Sequence, residues 1–207
     1  MKNVTDRTSN PFGMSPPCER FVPGYGDANA HFHVVGHNPS VHGGTETGVP
    51  FTGTPAAERL QRALHAGGLL RTIGDDPVVD RTFLSYLNMC VPDDGGPDDG
   101  DMERFFDAER RAIAAHGLLP VGETATRHVL EQYTARANRT AVDMAGLHGT
   151  ELRGSGWLVV PIRDPREWND DDGARLVEGL EEMRSTDYRR ESDLGRFVAG
   201  SDPYYVR

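Results

Sequence analysis

The chain has 207 residues, enough for one domain with a buried core and too few for a multidomain assembly. Its 32 acidic against 22 basic side chains leave a formal charge of −10, which argues against a general nucleic-acid coat because phosphate binding calls for a basic surface. Apolar runs stop after a few residues, as in Gly156–Ile162, too short to cross a bilayer, and the polar segment Met1–Gly13 has no apolar leader, so a cytoplasmic setting without membrane contact is expected.

Residues 1–30 are rich in Pro, Gly, Asn and Ser and read as an irregular lead-in. His31–Val35 is a β-branched and aromatic strand that ends at Gly36 and opens a Gly/Thr/Pro loop running to Thr54. Thr54 supplies an N-cap hydroxyl and Pro55 an N1 proline, and Leu60, Leu64, Leu69 and Leu70 carry a helical apolar face. A second strand, Thr82–Leu87, closes at Asn88 and Pro92. Past the acidic loop Asp93–Asp101, Asp101 is placed to cap a helix. Phe105, Phe106, Ala108, Ala112 and Ile113 form its apolar side, while Glu103, Arg104, Glu109, Arg110 and Arg111 face water. Leu118–Val121 reads as a third strand whose Gly122 turn leads into a helix over Thr124–Tyr133. A fourth strand, Trp157–Pro161, precedes a last helix around Ala174–Met183 and a polar, Arg-containing tail from 186 to 207.

Strands separated by helix-length segments require right-handed crossovers and a parallel sheet covered on both faces. The expected fold is therefore an α/β three-layer sandwich over residues 31–185 with a central sheet of about four parallel strands. Ligands bind such sheets beyond the carboxyl ends of the strands, so the loops at Gly36, Asn88, Gly122 and Pro161 should line one cleft.

Cysteine usage and charge pattern narrow the setting. Cys18 and Cys90 stand 72 positions apart; in a reducing cytosol they are expected as free thiols, and two thiols do not complete a tetrahedral metal site. His31, His33, His37 and His42 lack a convergent carboxylate and read as strand and loop histidines, so neither a metal nor a cofactor is expected. Lys2 is the sole lysine among the 22 basic residues, and acids crowd at Asp93–Asp101 and Asn169–Asp172. Many acids with almost no lysine resemble the composition of proteins from salt-loving archaea, where high ionic strength screens a negative surface.

The loops hold the chemistry. The first strand runs into Gly36-His37-Asn38-Pro39-Ser40, and twelve positions after Gly36 comes Gly48-Val49-Pro50-Phe51-Thr52-Gly53. A Gly and a Pro beside polar residues fix a rigid turn whose backbone and Asn amide can face a ligand, and Phe51 can offer an aromatic plane. The second strand ends in Asn88-Met89-Cys90-Val91-Pro92, and an Asn at a strand end can donate and accept together, as reading a base edge requires.

This combination, with Leu119-Pro120-Val121-Gly122 for a third strand and its following helix, resembles the uracil-DNA glycosylase superfamily over about residues 31–166. The resemblance implies an α/β enzyme, acting as a monomer on DNA containing uracil or another deaminated base, that flips the base out and hydrolyses its N-glycosidic bond in base-excision repair. It assigns Asn38 to position and activate the water, places His37 where the iron–sulfur branch has Glu, gives Phe51 the stacking role and gives Asn88 the base edge. Gly36, Pro39 and Ser40 shape the same pocket. Stacking of about 1–3 kcal/mol per base offsets much of the cost of flipping.

The departures from the family pattern are equally specific. The iron–sulfur branch uses four cysteines; Cys18 and Cys90 fall near two of those places, and no cluster is expected. Most branches carry a final His-Pro-Ser, whereas this chain reads Pro161-Ile162-Arg163-Asp164-Pro165-Arg166, with either Ile162 or Asp164 at the His position. Arg163 can supply positive charge there, and Arg166 can meet a phosphate or enter the minor groove. The missing His also motivates an alternative, a glycosylase-fold module that binds nucleic acid or a nucleobase without turnover. A small-molecule enzyme on a doubly wound sheet has less support, since no G-x-G-x-x-G or P-loop signature occurs.

Overall fold

Short apolar strands bounded by glycine form the centre of the molecule, a computed structural model that describes residues 8–91, 99–113, 115–134 and 142–185. In chain order the strands are β1 (Tyr25–Gly26), β2 (Phe32–Gly36), β3 (Thr82–Tyr86), β4 (Gly117–Pro120), β5 (Leu152–Gly154) and β6 (Trp157–Val159). The helices are α1 (Pro39–His42), α2 (Pro55–Ala66), α3 (Asp99–Ile113), α4 (Gly122–Tyr133), α5 (Met144–Leu147) and α6 (Asp172–Ser185). The sheet order is β1-β3-β2-β4-β6-β5, and β3, β2, β4 and β6 run parallel in register, with Val34 opposite both Leu84 and Leu119.

The four expected parallel strands are thus the core of a six-stranded sheet whose two edge strands are antiparallel. One edge comes from the lead-in itself, where Tyr25 and Gly26 pair with Leu84 and Phe83. The other is a tight hairpin: Ser155 and Gly156, both at positive φ, turn β5 into β6, the conformation that matches strand twist.

Alternation along the strands divides two apolar layers. Phe32, Val34, Leu84 and Leu119 face Leu60 and Leu64 of α2 and Leu176, Leu180 and Met183 of α6. On the opposite face Val35 packs with Phe106 of α3 and Ala125 of α4, and Leu118 and Val159 pack with Val129 and Leu130 of α4. Among the described residues no helix is long and apolar enough to cross a membrane.

Local chemistry sets the helix starts. Thr54 Oγ1 accepts from the Ala57 amide at 3.1 Å with Pro55 at N1, as its sequence requires. Helix α3 begins at Asp99, so Asp101 lies inside its first turn instead of capping it. The face of α3 also differs from its reading: Ala108 and Ala112 are exposed, while Glu109 is fully buried. Asp93, Asp94, Asp98 and the tail 186–207 lie outside the described residues.

The cysteines correct another expectation. Cys18 and Cys90 form a disulfide, with Cα atoms 6.1 Å apart. The lead-in runs antiparallel beside the chain that leaves β3: the Val22 amide donates to the Met89 carbonyl and the Val91 amide to the Arg20 carbonyl. That pairing brings two sequence-distant thiols together, which composition and compartment do not reveal.

Candidate active site

Beyond the carboxyl ends of β2, β4 and β6 lies a cavity of about 350 Å³ whose walls include His37, His42, Gly122, Asp164, Arg166 and Glu167. Three of the four expected loops reach it; the loop at Asn88 does not contribute to its described wall.

The first wall begins where β2 ends. Asn38 caps the single turn α1, its Oδ1 accepting from the Val41 amide at 3.0 Å, with Pro39 buried at N1 and Ser40 exposed. This turn carries His42 back over the strand end. Gly36 has no side chain because a Cβ there would lie 2.8 Å from both the His42 and Tyr86 rings. His42 sits nearly parallel to Tyr86, with centroids 6.4 Å apart, and 5.8 Å from the Phe51 ring.

Phe51 is held in a left-handed conformation, φ 58, which costs roughly 1–2 kcal/mol for a residue with a side chain. Its amide donates to the Tyr86 hydroxyl at 2.8 Å, its carbonyl accepts from Gln61 Nε2 at 2.7 Å, and the Tyr86 hydroxyl donates to the Gly43 carbonyl at 2.8 Å. Backbone strain restrained by buried bonds is found where a loop must present a fixed surface. Phe51 and Asn88 are both buried next to the cavity, and neither these two nor Asn38 forms part of its described wall. Asn88 Oδ1 accepts from the Cys90 amide at 3.0 Å, and its own amide donates to the His37 carbonyl, which locks the two strand-end turns together.

The second wall is the loop after β6. Ile162 belongs to the main apolar core, whereas Asp164 turns to the cavity. Asp164 caps a short 3-10 turn, Pro165–Glu167, by accepting from the Arg166 amide at 2.9 Å. The Arg166 side chain returns to the same carboxylate: Nε lies 3.1 Å and 3.0 Å from its two oxygens, and Nη2 lies 2.6 Å from Oδ2. Such a fork is stronger than a single ion pair because the donors match the planar carboxylate. Gly122, at φ 82, separates the walls: a Cβ there would lie 3.8 Å from His42 Nε2 and 4.0 Å from Asp164 Oδ2.

These contacts set the charges. Burial lowers His42 to about 4, Asp164 pulls it upward, and Arg166 and His37 push it further down, so the ring is neutral at pH 7. Burial pushes the Asp164 carboxyl up, but the hydrogen bonds from the Arg166 side chain and backbone, with the Arg166 charge, outweigh it and hold the group below the usual carboxylate range. The site therefore offers an ionised carboxylate, a neutral imidazole and a half-exposed guanidinium around one cavity.

Arg163 is placed elsewhere. Its Nη1 donates to Asp172 at 3.2 Å, Nε lies 3.6 Å from Glu167, and its amide donates to His148 Nδ1 at 2.9 Å; its side chain does not form part of the described cavity wall. His42 is the functional candidate that the sequence reading passed over. Its position four residues after a capping Asn, at the end of one helical turn, was the available signal.

A four-cysteine iron–sulfur cluster does not fit this chain: it carries two cysteines, and these are bonded to each other. Among the described residues no three His, Cys, Asp or Glu side chains converge as a metal site.

Comparison with known proteins gives the context. Residues 23–183 match the profile of the Uracil DNA glycosylase superfamily. A type-5 uracil-DNA glycosylase from Pyrobaculum aerophilum is 31% identical over 172 residues, covering 79% of this chain and 74% of that protein. Similar proteins of the same name occur in Thermus thermophilus, 34% identical over 113 residues (53% of this chain and 50% of that protein), and in Mycobacterium tuberculosis, 28% identical over 170 residues (76% and 62%).

Proposed function

Because the chain belongs to the Uracil DNA glycosylase superfamily, we propose that it hydrolyses the N-glycosidic bond of a uracil flipped out of DNA. The observation that carries this reading is an ionised Asp164 standing opposite a neutral His42 in one polar cavity at the strand ends. In the reaction the C1′–N1 bond breaks with its electron pair leaving on the base. Water adds its oxygen to C1′, and Asp164 takes the water's proton, which passes on to the departed base. His37 and His42 face the base as polar donors. Phe51 stacks on it and Asn88 holds its Watson–Crick edge once the base has passed the His37–His42 turn. Asn38, its Oδ1 engaged as a cap, acts through its amide NH2. Arg166 meets a backbone phosphate at the cavity rim.

The test is release of uracil from single- and double-stranded oligonucleotides, read as alkali-labile abasic sites, at low and at molar salt. Wild type produces them, and Asp164→Asn slows the reaction by about 10²–10⁴-fold, the range for loss of a general base. Absence of abasic product from the wild type overturns the reading. A second reading, binding without turnover, is favoured by the loop 161–166, which presents no imidazole and whose carboxylate is already held by Arg166. Retained affinity for uracil-containing DNA without product selects it.

A further inference from the structure

The Asp164–Arg166 fork has a consequence beyond charge balance. Both of its members line the cavity, yet they differ in access: the Arg166 side chain is 55% exposed and the Asp164 side chain 11%. The guanidinium therefore stands at the rim and the carboxylate inside. Two residues apart on one short turn, they close on each other through the three Arg166 side-chain contacts, while Asp164 keeps a separate bond to the Arg166 backbone amide. That backbone bond does not depend on the guanidinium, so the carboxylate stays in place if the arginine leaves. Across Gly122 the His42 ring stands opposite the same carboxylate, a Cβ on that glycine lying 3.8 Å from His42 Nε2 and 4.0 Å from Asp164 Oδ2.

Building on the reading above, we propose that Arg166 is a latch that a DNA backbone phosphate opens, handing the Asp164 carboxylate from the guanidinium to the His42 ring. A phosphodiester offers the fork two non-bridging oxygens in place of the carboxylate pair, and it arrives from the solvent side where Arg166 is exposed. Before DNA binds, the Asp164 carboxylate is neutralised by the Arg166 guanidinium. After it binds, the freed carboxylate pairs with His42, and the imidazole holds a proton more readily where it faces the departing nucleobase. The other groups that share the cavity or pack on the His42 ring are His37 in the turn after β2, Tyr86 on β3, Glu123 on α4, Asp143 before α5 and Glu167 beside Arg166.

The experiment follows the His42 ring by NMR in the full chain, titrated with pH, alone and with a uracil-free oligonucleotide whose binding is verified by fluorescence anisotropy. The oligonucleotide raises the His42 midpoint by about one to three pH units, the effect of an opposite charge brought close. Arg166→Gln raises it without DNA, with no further rise on binding, and Arg166→Lys, which keeps the charge and loses the fork, falls between. Asp164→Asn abolishes the rise in every case. An unchanged midpoint in the bound wild type, an unmoved midpoint in Arg166→Gln, or no oligonucleotide binding overturns the latch. None of these readouts needs base release, so a catalytically silent protein whose His42 responds sinks the glycosylase reading and leaves the latch standing.

Discussion

The sheet has a histidine–carboxylate cluster on each side of β2, and the two have opposite fates. At the open end, His42, Asp164 and Arg166 surround a cavity, and the carboxylate is ionised because a guanidinium grips it. On the α3 face, His33 Nε2 lies 2.7 Å from Ser85 Oγ, and Glu109 is packed against Gly24 and Ser85 with no exposed surface. There burial pushes Glu109 up to about 8, only partly offset by the Gly24 backbone and the Ser85 hydroxyl, and burial with the Arg110 charge lowers His33 to about 3. Similar residues form both clusters; access and an ionic partner decide which is available to substrate. The sealed trio has the composition of a hydrolytic triad and none of its reach.

The sharpest way to break this comparison is pH. Glu109 has a folded pKa raised above its ordinary 4.5, so the protonated form stabilises the fold fully below that value, and the contribution is lost as pH rises through about 8. If the site stays sealed, the loss is on the order of 5 kcal/mol between the two limits. His33 works at the other end: its folded value is depressed, so stability falls as pH drops from 6.5 toward 3. Urea unfolding of the wild type should therefore give a maximum between these limbs, and Glu109→Gln should flatten the alkaline one. An equally steep alkaline limb in the variant would mean that Glu109 is not sealed. Next in size, Phe106→Ala removes the ring that packs 5.7 Å from both His33 and His128, and should cost about 3–5 kcal/mol of unfolding free energy. Its base-release rate, measured well below the melting temperature, should stay close to that of the wild type. A large kinetic loss would couple the sealed side to the open one.

Much of this arrangement was legible in the sequence, for identifiable reasons. The parallel strands are legible because Phe32–Val35 and Thr82–Tyr86, buried on both faces, are rich in β-branched and aromatic residues, and α2 is legible through Thr54 and Pro55. The edge strands did not, since two or three residues of pairing leave no periodicity to detect. Glu109 was misplaced because helical patterning assigns any carboxylate to the wet face, and only the fold reveals that position 109 lies under Gly24. Asp164 was found through its place in a motif. His42 required knowing that α1 is a single turn, which returns its last residue to the strand end.

The smallest expected effect concerns the scaffold of the open side. Tyr86 presents one hydroxyl to two backbone groups, donating to Gly43 and accepting from Phe51, so Tyr86→Phe leaves a buried amide and a buried carbonyl without that partner. The cost is about 1–3 kcal/mol, less than for Phe106→Ala because no volume is lost. The Phe51 carbonyl remains tied to Gln61, which also accepts from the Gly74 amide, so the loop keeps one anchor. Hydrogen exchange should therefore quicken over residues 43–53 while α3 and the sealed cluster keep their protection. Exchange that quickened equally on both sides of the sheet would show that the two clusters share one cooperative unit. Loss confined to the loop would show that the open side adjusts to a substrate independently of the sealed one.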